Sequence, residues 1–163
     1  MKSSNESAAP AVTFSVERPD TPDAAWCVAQ YFAELDARFE AGFDVAQSIP
    51  ADADAMTPPN GAFIVARIGT RPVASGGFKL QPAGRAYLKR MWVARDARGI
   101  GLGRRMLREL EQCARTMHAE VAQLETNRAL VEAIAMYRAN GYVEVVPFND
   151  EPYAHHWFEK RLE

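Results

Sequence analysis

The chain has 163 residues, 48% of them hydrophobic and 25% charged, which is the size and composition of a single globular domain. Nineteen basic against twenty-one acidic residues leave a net charge of −2, which offers no basis for binding nucleic acid or an anionic membrane. There is no apolar run of about 18 residues, the length of a membrane-spanning helix, so we expect a cytoplasmic protein. Cys27 and Cys113 form no disulfide or metal pattern, and we expect both in the core.

The N-terminal part predicts a tail, a strand and a helix. Residues 1–11 are mostly small or polar and predict a flexible tail. Apolar and polar residues alternate over Val12–Val16, which predicts a strand. Thr21 and Pro22 suit the N-cap and first position of a helix that ends near Gly42. The predicted apolar face of this helix consists of Trp26, Val28, Ala29, Phe32, Leu35 and Phe39.

The middle of the chain predicts an antiparallel meander. Residues 44–60 are rich in Ala, Asp and Pro and predict a long surface loop. Strands are predicted at Ala62–Ile68, Val73–Leu80 and Ala86–Val93, separated by two turns. Gly76-Gly77 marks a weak point or bulge in the second of these strands.

The C-terminal part alternates helices and strands. After Arg95, an apolar helical face is formed by Leu102, Met106, Leu107, Leu110, Ala114 and Met117. The segments that follow are a strand at Val121–Thr126, a helix at Leu130–Arg138 stopped by Asn140-Gly141, and strands at Val143–Phe148 and His155–Leu162. The order of elements predicts one mixed α/β domain.

A glycine-rich loop lies between the fourth strand and the second helix. Gly99, Gly101 and Gly103 allow backbone N–H groups to approach a ligand closely. Arg98 and Arg104 add positive charge beside a helix N-terminus, which favours a phosphate group. The loop therefore predicts a phosphate-bearing ligand, although a plain strand–helix turn with surface arginines has the same pattern.

Two known phosphate loops fit this segment poorly. A P-loop requires Lys and Ser or Thr, and neither follows Gly103. A dinucleotide fingerprint requires a sixth-position glycine, where Arg104 stands, although Glu125 lies roughly 20 residues downstream at the distance of a ribose ligand. An NAD-binding oxidoreductase stays open as an alternative.

A third pattern fits the loop best. After a strand that ends in Val93, Arg98, Gly101 and Gly103 fill the pattern Arg/Gln-x-x-Gly-x-Gly/Ala. This segment resembles the acyl-CoA-binding motif of the GNAT superfamily of N-acyltransferases. The resemblance extends to Leu124–Asn127, to Ala135–Tyr142, whose Ala stands two rather than three residues before the tyrosine, and to Pro147–Lys160.

The resemblance implies a fold and an activity for residues 12–163. The fold is a central, mostly antiparallel, twisted sheet of about seven strands flanked by about four helices. The activity is transfer of an acetyl group from the cosubstrate acetyl-CoA to a primary amine, by direct attack in a ternary complex and without a metal. A small-molecule acceptor such as an amino acid or related metabolite is expected, with no nucleic-acid or membrane partner, and a homodimer is common in the family.

The resemblance also assigns roles by position. Backbone groups of Met91, Trp92 and Val93 would hold the pantetheine and the thioester carbonyl. Asn127 would contact the cofactor arm, and Tyr137 would contact the cofactor and protonate the departing thiolate. The amides that would cradle the pyrophosphate belong to Arg98, Gly99, Ile100, Gly101, Leu102, Gly103 and Arg104.

The chain departs from the family at the general base. Many members carry a glutamate on the fourth strand near the position of Tyr87, and no carboxylate lies within Ala86–Val93. A water chain or one of several carboxylates is left as the base. The candidates are Glu34, Asp36, Asp150 and Glu151. The missing glutamate also favours an alternative function, a non-catalytic module that senses acyl-CoA.

Other polar residues have weaker signals. His155 and His156 are adjacent on a predicted strand and would face opposite sides, so they predict structural or substrate contacts rather than a metal site. Lys89 and Arg90 either bind a carboxylate of the acceptor or are surface residues of the strand with no binding role. In the family, the first helix and the 44–60 loop would border the acceptor cleft.

Overall fold

The computed structural model of the chain describes residues 11–163, so the predicted tail lies outside the described residues except for Ala11. The order of elements agrees with the sequence prediction. The elements are β1 (Thr13–Val16), α1 (Pro22–Arg38), β2 (Gly61–Ile68), β3 (Arg71–Gln81), β4 (Arg85–Val93), α2 (Leu102–Thr116), β5 (Val121–Thr126), α3 (Val131–Ala139), β6 (Val143–Val145) and β7 (His156–Arg161). Within the described range, no helix is long and apolar enough to cross a membrane.

The seven strands form one sheet in the order β1-β2-β3-β4-β5-β7-β6. All neighbouring pairs are antiparallel except β4 and β5, which are parallel. This agrees with the mostly antiparallel seven-stranded sheet that was expected. The described residues hold three α-helices rather than about four, and the 44–60 loop contains two short 3₁₀ turns, Val45–Gln47 and Asp54–Met56.

Helix α1 begins as predicted but ends earlier. Thr21 is its N-cap and Pro22 its first residue, although the Thr21 side chain makes no capping hydrogen bond. The helix ends at Arg38 rather than near Gly42, because Phe39 leaves the helical conformation and turns extended.

The buried face of α1 differs from the prediction. Ala24, Cys27 and Leu35 are its buried residues, whereas Trp26 is 46% exposed. The Trp26 ring packs edge-on against Trp92 of β4, with 5.7 Å between ring centroids. The small side chains of Ala24 and Cys27 allow the helix to lie close to the sheet, so the large indole is displaced to its rim.

Helices α1 and α2 cover opposite faces of the sheet. A Cβ added at Gly76 of β3 would meet Leu110 of α2 at 2.9 Å. Trp92, which contacts α1, is the register partner of Ser75. Since Ser75 and Gly76 are consecutive in a strand, they point to opposite faces.

The sheet opens between β4 and β5. The two strands pair only from Arg85 to Tyr87 on β4 and from Val121 to Gln123 on β5. Beyond those residues β5 continues against β7 alone. The second half of β4 therefore presents an unpaired backbone edge to the opening, which is available to a ligand.

A β-bulge lies in β4 beside this opening. Ser75 pairs with Trp92 and Gly77 with Lys89, so Arg90 and Met91 together oppose the single residue Gly76. Arg90 has φ = +62°, a left-handed conformation for a residue with a side chain. The irregularity predicted at Gly76-Gly77 is confirmed, and its extra residue lies on β4. Such bulges re-aim side chains and are frequent next to active sites.

A buried charge pair joins α2 to the C-terminal strands. The Glu111 carboxylate is 3% exposed and accepts hydrogen bonds from Lys160 Nζ at 3.0 Å and from the Tyr142 hydroxyl at 2.8 Å. Lys160 on β7 therefore balances the charge of Glu111, and the Tyr142 hydroxyl adds a hydrogen bond to it.

We expect Lys160→Met to lower the free energy of unfolding by on the order of 3 kcal/mol, because it leaves the Glu111 carboxylate buried without a counter-charge. Urea denaturation followed by circular dichroism measures the loss. The double variant Glu111→Leu/Lys160→Met removes both charges and is expected to recover most of the stability. A single variant as stable as the wild type would contradict the prediction.

Candidate active site

Two adjoining cavities open where β4 and β5 diverge. The first, called here the loop cavity, has a volume of about 460 Å³ and lies between the end of β4, the glycine-rich loop, α1 and α3. The second, the aromatic cavity, has a volume of about 100 Å³ and lies between β4, β5, α1 and the 44–60 loop. The residues that line both are Tyr31, Leu35, Met91, Leu130, Ala133 and Tyr137.

Most residues predicted to bind a cofactor line the loop cavity. They are Met91, Trp92, Val93, Arg98, Gly99, Gly101, Leu102, Gly103, Arg104 and Tyr137. Ile100 is 46% exposed and does not line it. Asn127 lines the aromatic cavity instead, where Nδ2 donates to the Tyr153 carbonyl and Oδ1 accepts from the Ala129 N–H. Its predicted contact with a cofactor arm stays a prediction.

The glycine-rich loop presents a row of free amides. Within residues 11–163, the N–H groups from Gly99 to Arg104 have no hydrogen-bond acceptor, and the first intrahelical bond of α2 runs from Arg105 N–H to the Gly101 carbonyl. Gly99 and Gly101 have φ values of +89° and +77°, which a side chain would strain. Free amides at the start of a 15-residue helix, together with the helix dipole, suit an anion such as a phosphate.

The Arg98 side chain holds the loop in place. Its Nε donates to the Val93 carbonyl at 3.0 Å, and a terminal nitrogen pairs with Glu34 of α1 at 2.6 Å. Glu34 also pairs with Arg38 at 3.2 Å. Glu34, one of the predicted candidates for the base, is therefore held in place by two guanidinium groups.

Tyr137 stands at the junction of the two cavities. The side chain is 7% exposed, and its ring packs against Tyr142 and Phe158. Within the described residues, the only hydrogen-bond partner of its hydroxyl is Met91 Sδ, at 3.9 Å. Burial raises the pKa of the Tyr137 hydroxyl, so the group stays protonated at neutral pH and can donate a proton into the junction.

Glu125 of β5 reaches the same region and was not predicted as a base. It lines the aromatic cavity, and its Oε1 accepts hydrogen bonds from the Tyr87 hydroxyl at 2.5 Å and from Asn149 Nδ2 at 2.7 Å. Its Oε2 has no hydrogen-bond partner among residues 11–163. The two donors fix the carboxylate and leave one oxygen free to accept a proton.

Glu125 lies beside Tyr87, the β4 position near which the expected carboxylate is absent. Tyr87 of β4 is the register partner of Gln123 on β5, and Glu125 shares the face of Gln123 because side chains alternate along a strand. The carboxylate therefore comes from the neighbouring strand, and the Tyr87 hydroxyl contacts it. The alternation of side chains along Val121–Thr126 predicts which face of β5 carries Glu125. It does not predict that β5 lies beside β4, so the sequence alone could not identify this contact.

The remaining candidates for the base are less suited. The Asp36 carboxylate accepts from the Phe43 N–H and lines neither cavity. Asp150 is exposed and also lines neither. Glu151 lines the aromatic cavity, but its Oε1 accepts from the Ser48 hydroxyl at 2.6 Å and its Oε2 from the Tyr153 N–H at 3.2 Å.

The two adjacent histidines make separate structural contacts. His155 Nδ1 accepts from the Arg128 N–H at 3.1 Å, and His156 Nδ1 lies 2.7 Å from the Glu144 carboxylate. In the described range, no group of three or more His, Cys, Asp or Glu side chains could hold a metal ion. Cys27 is buried in the core as predicted, where burial raises the pKa of its thiol to about 11, and Cys113 is partly buried.

Comparison with known proteins agrees with this geometry. A family model described as "Acetyltransferase (GNAT) family" matches residues 25–142. The chain is 32% identical over 140 residues to a protein of Azospirillum brasilense named "IAA acetyltransferase", covering 85% of this chain and 89% of that protein.

Solved structures share the fold. An acetyltransferase from Streptococcus agalactiae superposes with a TM-score of 0.74 at 17% identity, over 93% of this chain and 98% of that one. A PaiA N-acetyltransferase from Thermoplasma acidophilum, solved in complex with coenzyme A, has a TM-score of 0.54 at 18% identity, over 61% of this chain and 59% of that one.

Proposed function

The chain belongs to the GNAT family of acetyltransferases, and we propose that it transfers an acetyl group from acetyl-CoA to a primary amine in a ternary complex. One observation carries this proposal. Tyr137, a protonated donor, and Glu125, a carboxylate with a free oxygen, both line the aromatic cavity, and Tyr137 also lines the adjoining loop cavity. Acyl transfer from a thioester to an amine requires both groups, one for the leaving sulfur and one for the ammonium proton.

The loop cavity has the features that a CoA thioester requires. The free amides from Gly99 to Arg104 suit the pyrophosphate. The unpaired edge of β4 at Met91–Val93 suits the amide groups of a pantetheine arm and offers N–H donors for a thioester carbonyl. The thioester would then lie where the two cavities meet.

The proposed reaction assigns one proton transfer to each side chain. Glu125 Oε2 accepts a proton from the ammonium group, which leaves a neutral amine. The amine nitrogen forms a bond to the acetyl carbon, while the β4 backbone stabilises the negative charge on the carbonyl oxygen. The carbon–sulfur bond then breaks, and the Tyr137 hydroxyl donates its proton to the departing thiolate. The nitrogen loses its second proton, which restores the Tyr137 hydroxyl through solvent, and the proton held by Glu125 is released to water, so that the products are a neutral amide and the CoA thiol.

The acceptor that we propose is a small molecule such as an amino acid or related metabolite. The aromatic cavity supports this assignment, since its volume is about 100 Å³ and it is bordered by α1, the 44–60 loop and β5. A cavity of this size suits a compact amine better than an extended peptide, which needs a longer groove.

Calorimetric titration with acetyl-CoA tests the donor assignment, with dephospho-CoA and NADH as comparison ligands. We expect micromolar binding of acetyl-CoA and release of CoA when an amine panel is added. Tighter binding of NADH, or no binding of acetyl-CoA, would overturn the proposal. Binding without turnover on any amine would instead favour a sensor module.

Gly101→Val is expected to weaken acetyl-CoA binding at least about tenfold, because a β-branched residue resists the positive φ that Gly101 adopts at the start of α2. The same titration measures the effect. Gly69→Val is the matched control, since Gly69 also has positive φ and open space around it but lies in the β2–β3 turn. Equal losses in both variants would contradict a specific role for the loop.

A further inference from the structure

Arg90 lies in the aromatic cavity without an anionic partner. Its guanidinium carbon stands 5.2 Å from the centroid of the Phe32 ring, and no described residue accepts a hydrogen bond from it or forms a salt bridge with it. Asp52, the carboxylate that acts on it through space, is exposed and accepts instead from the Ala55 N–H. A partly buried arginine without an anion is unusual, because charges removed from water are normally paired.

The β4 bulge places Arg90 there. In a regular strand, Lys89 and Arg90 would point to opposite faces of the sheet. With φ = +62° at Arg90, both side chains and that of Met91 line the same cavity. A left-handed conformation at a residue with a side chain costs of order 1 kcal/mol or more, and within a strand it persists only where the surrounding structure holds it.

The other charged groups of the cavity make hydrogen bonds. Lys89 Nζ donates to the Ile49 carbonyl at 3.3 Å and to the Tyr87 hydroxyl at 3.4 Å, and it lies 4.8 Å from the Tyr87 ring centroid. Glu151 accepts hydrogen bonds at both of its carboxylate oxygens. Among the described residues that line the cavity, the charged groups left without a hydrogen-bond partner are the Arg90 guanidinium and the Oε2 of Glu125.

An aromatic wall completes the cavity. Phe32, beneath Arg90, stacks on Phe43 with 5.5 Å between centroids, and Phe43 packs against Tyr153 at 4.8 Å. Phe39 contacts both Phe43 and Tyr153. The Tyr153 hydroxyl accepts from the Asp44 N–H, which ties the wall to the 44–60 loop. The wall is an apolar surface adjacent to the free guanidinium.

We infer that the acceptor is an amino acid with an apolar side chain, whose carboxylate binds Arg90, whose amine faces Glu125 and whose side chain packs against the aromatic wall. The inference rests on the proposed acetyl transfer and names the substrate class of that same site. A zwitterion matches one free cation and one free anion, and a carboxylate can accept two parallel hydrogen bonds from a guanidinium. An amine without a carboxylate would leave Arg90 unpaired.

The test compares three acceptors that share a side chain: L-phenylalanine, L-phenylalaninamide and 2-phenylethylamine. CoA release gives kcat/KM for each. For Arg90→Gln we expect a roughly 10- to 100-fold fall in kcat/KM with phenylalanine, the effect of losing a hydrogen-bonded charge partner. We expect little change with the other two acceptors. Because each acceptor is compared between two enzymes, differences in amine basicity cancel.

Arg161→Gln is the control for net charge, since Arg161 is exposed at the end of β7 and lines neither cavity. It should leave all three kcat/KM values unchanged. If Arg90→Gln lowers kcat/KM equally for all three acceptors, or leaves the value for phenylalanine unchanged, the carboxylate assignment is wrong, although turnover itself still supports acetyl transfer.

Two outcomes with the wild-type protein separate the remaining claims. Binding of acetyl-CoA without turnover of any of the three acceptors would overturn the substrate class. Failure to bind acetyl-CoA would overturn the proposed function.

Discussion

Tyr137→Phe is expected to lower kcat by about 10²- to 10⁴-fold, the usual contribution of a positioned general acid. Among the described residues, Tyr31 and Tyr137 are the two hydroxyl-bearing residues that line both cavities. The substitution removes the hydroxyl of Tyr137 and keeps the ring that packs on Tyr142 and Phe158. Acetyl-CoA affinity should change by no more than about threefold, because the amides of the glycine-rich loop are untouched. Steady-state CoA release and calorimetric titration measure the two quantities.

Tyr142→Phe is the matched control for this experiment. Tyr142 lies 5.8 Å from Tyr137 between ring centroids and is equally buried, but its hydroxyl donates to Glu111. Its loss should lower stability and leave kcat near the wild-type value. If Tyr137→Phe retains full turnover, another group protonates the thiolate and the assignment is wrong.

Glu125→Gln is expected to lower kcat/KM by about 10²- to 10³-fold near neutral pH, because an amide cannot take the proton of the ammonium group. The variant depends on amine that is already neutral in solution. Its kcat/KM should therefore rise by about tenfold for each pH unit below the pKa of the amine, and the deficit should shrink at high pH. A pH profile of CoA release from pH 6 to about 10 checks this dependence.

Glu120→Gln is the control for the loss of one carboxylate, since Glu120 is exposed immediately before β5 and lines neither cavity. It should keep the wild-type pH profile. A deficit in Glu125→Gln that is the same at every pH would show that the carboxylate orients Tyr87 and Asn149 rather than accepting a proton.

The elements that were predicted correctly are those specified by neighbouring residues. The strand at Val121–Thr126 and the helix with three-to-four-residue spacing after Leu102 depend on local pattern, and both elements were predicted with nearly their observed bounds. The conformation of the glycine-rich loop also depends on its own residues. Gly99 and Gly101 adopt positive φ, which glycine allows at little cost.

The face of α1 shows where local pattern fails. Trp26 has the spacing of a core residue but is largely exposed, because the sheet beneath α1 accepts Ala24 and Cys27 at close range. Periodicity identifies which residues share a helical face. It does not specify how near that face the sheet will come, which depends on packing against residues far away in the chain.

The order of elements, the mixed α/β class and the loop that presents free amides could be predicted from the sequence, because each depends on residues within a few positions. The parallel pairing of β5 with β4, which brings Glu125 to Tyr87 across 38 positions, is visible only in the folded chain. The same is true of Arg90, which the bulge opposite Gly76 places in the cavity of Glu125. Strand adjacency and bulges arise from long-range pairing, and one-residue shifts in register move side chains between faces.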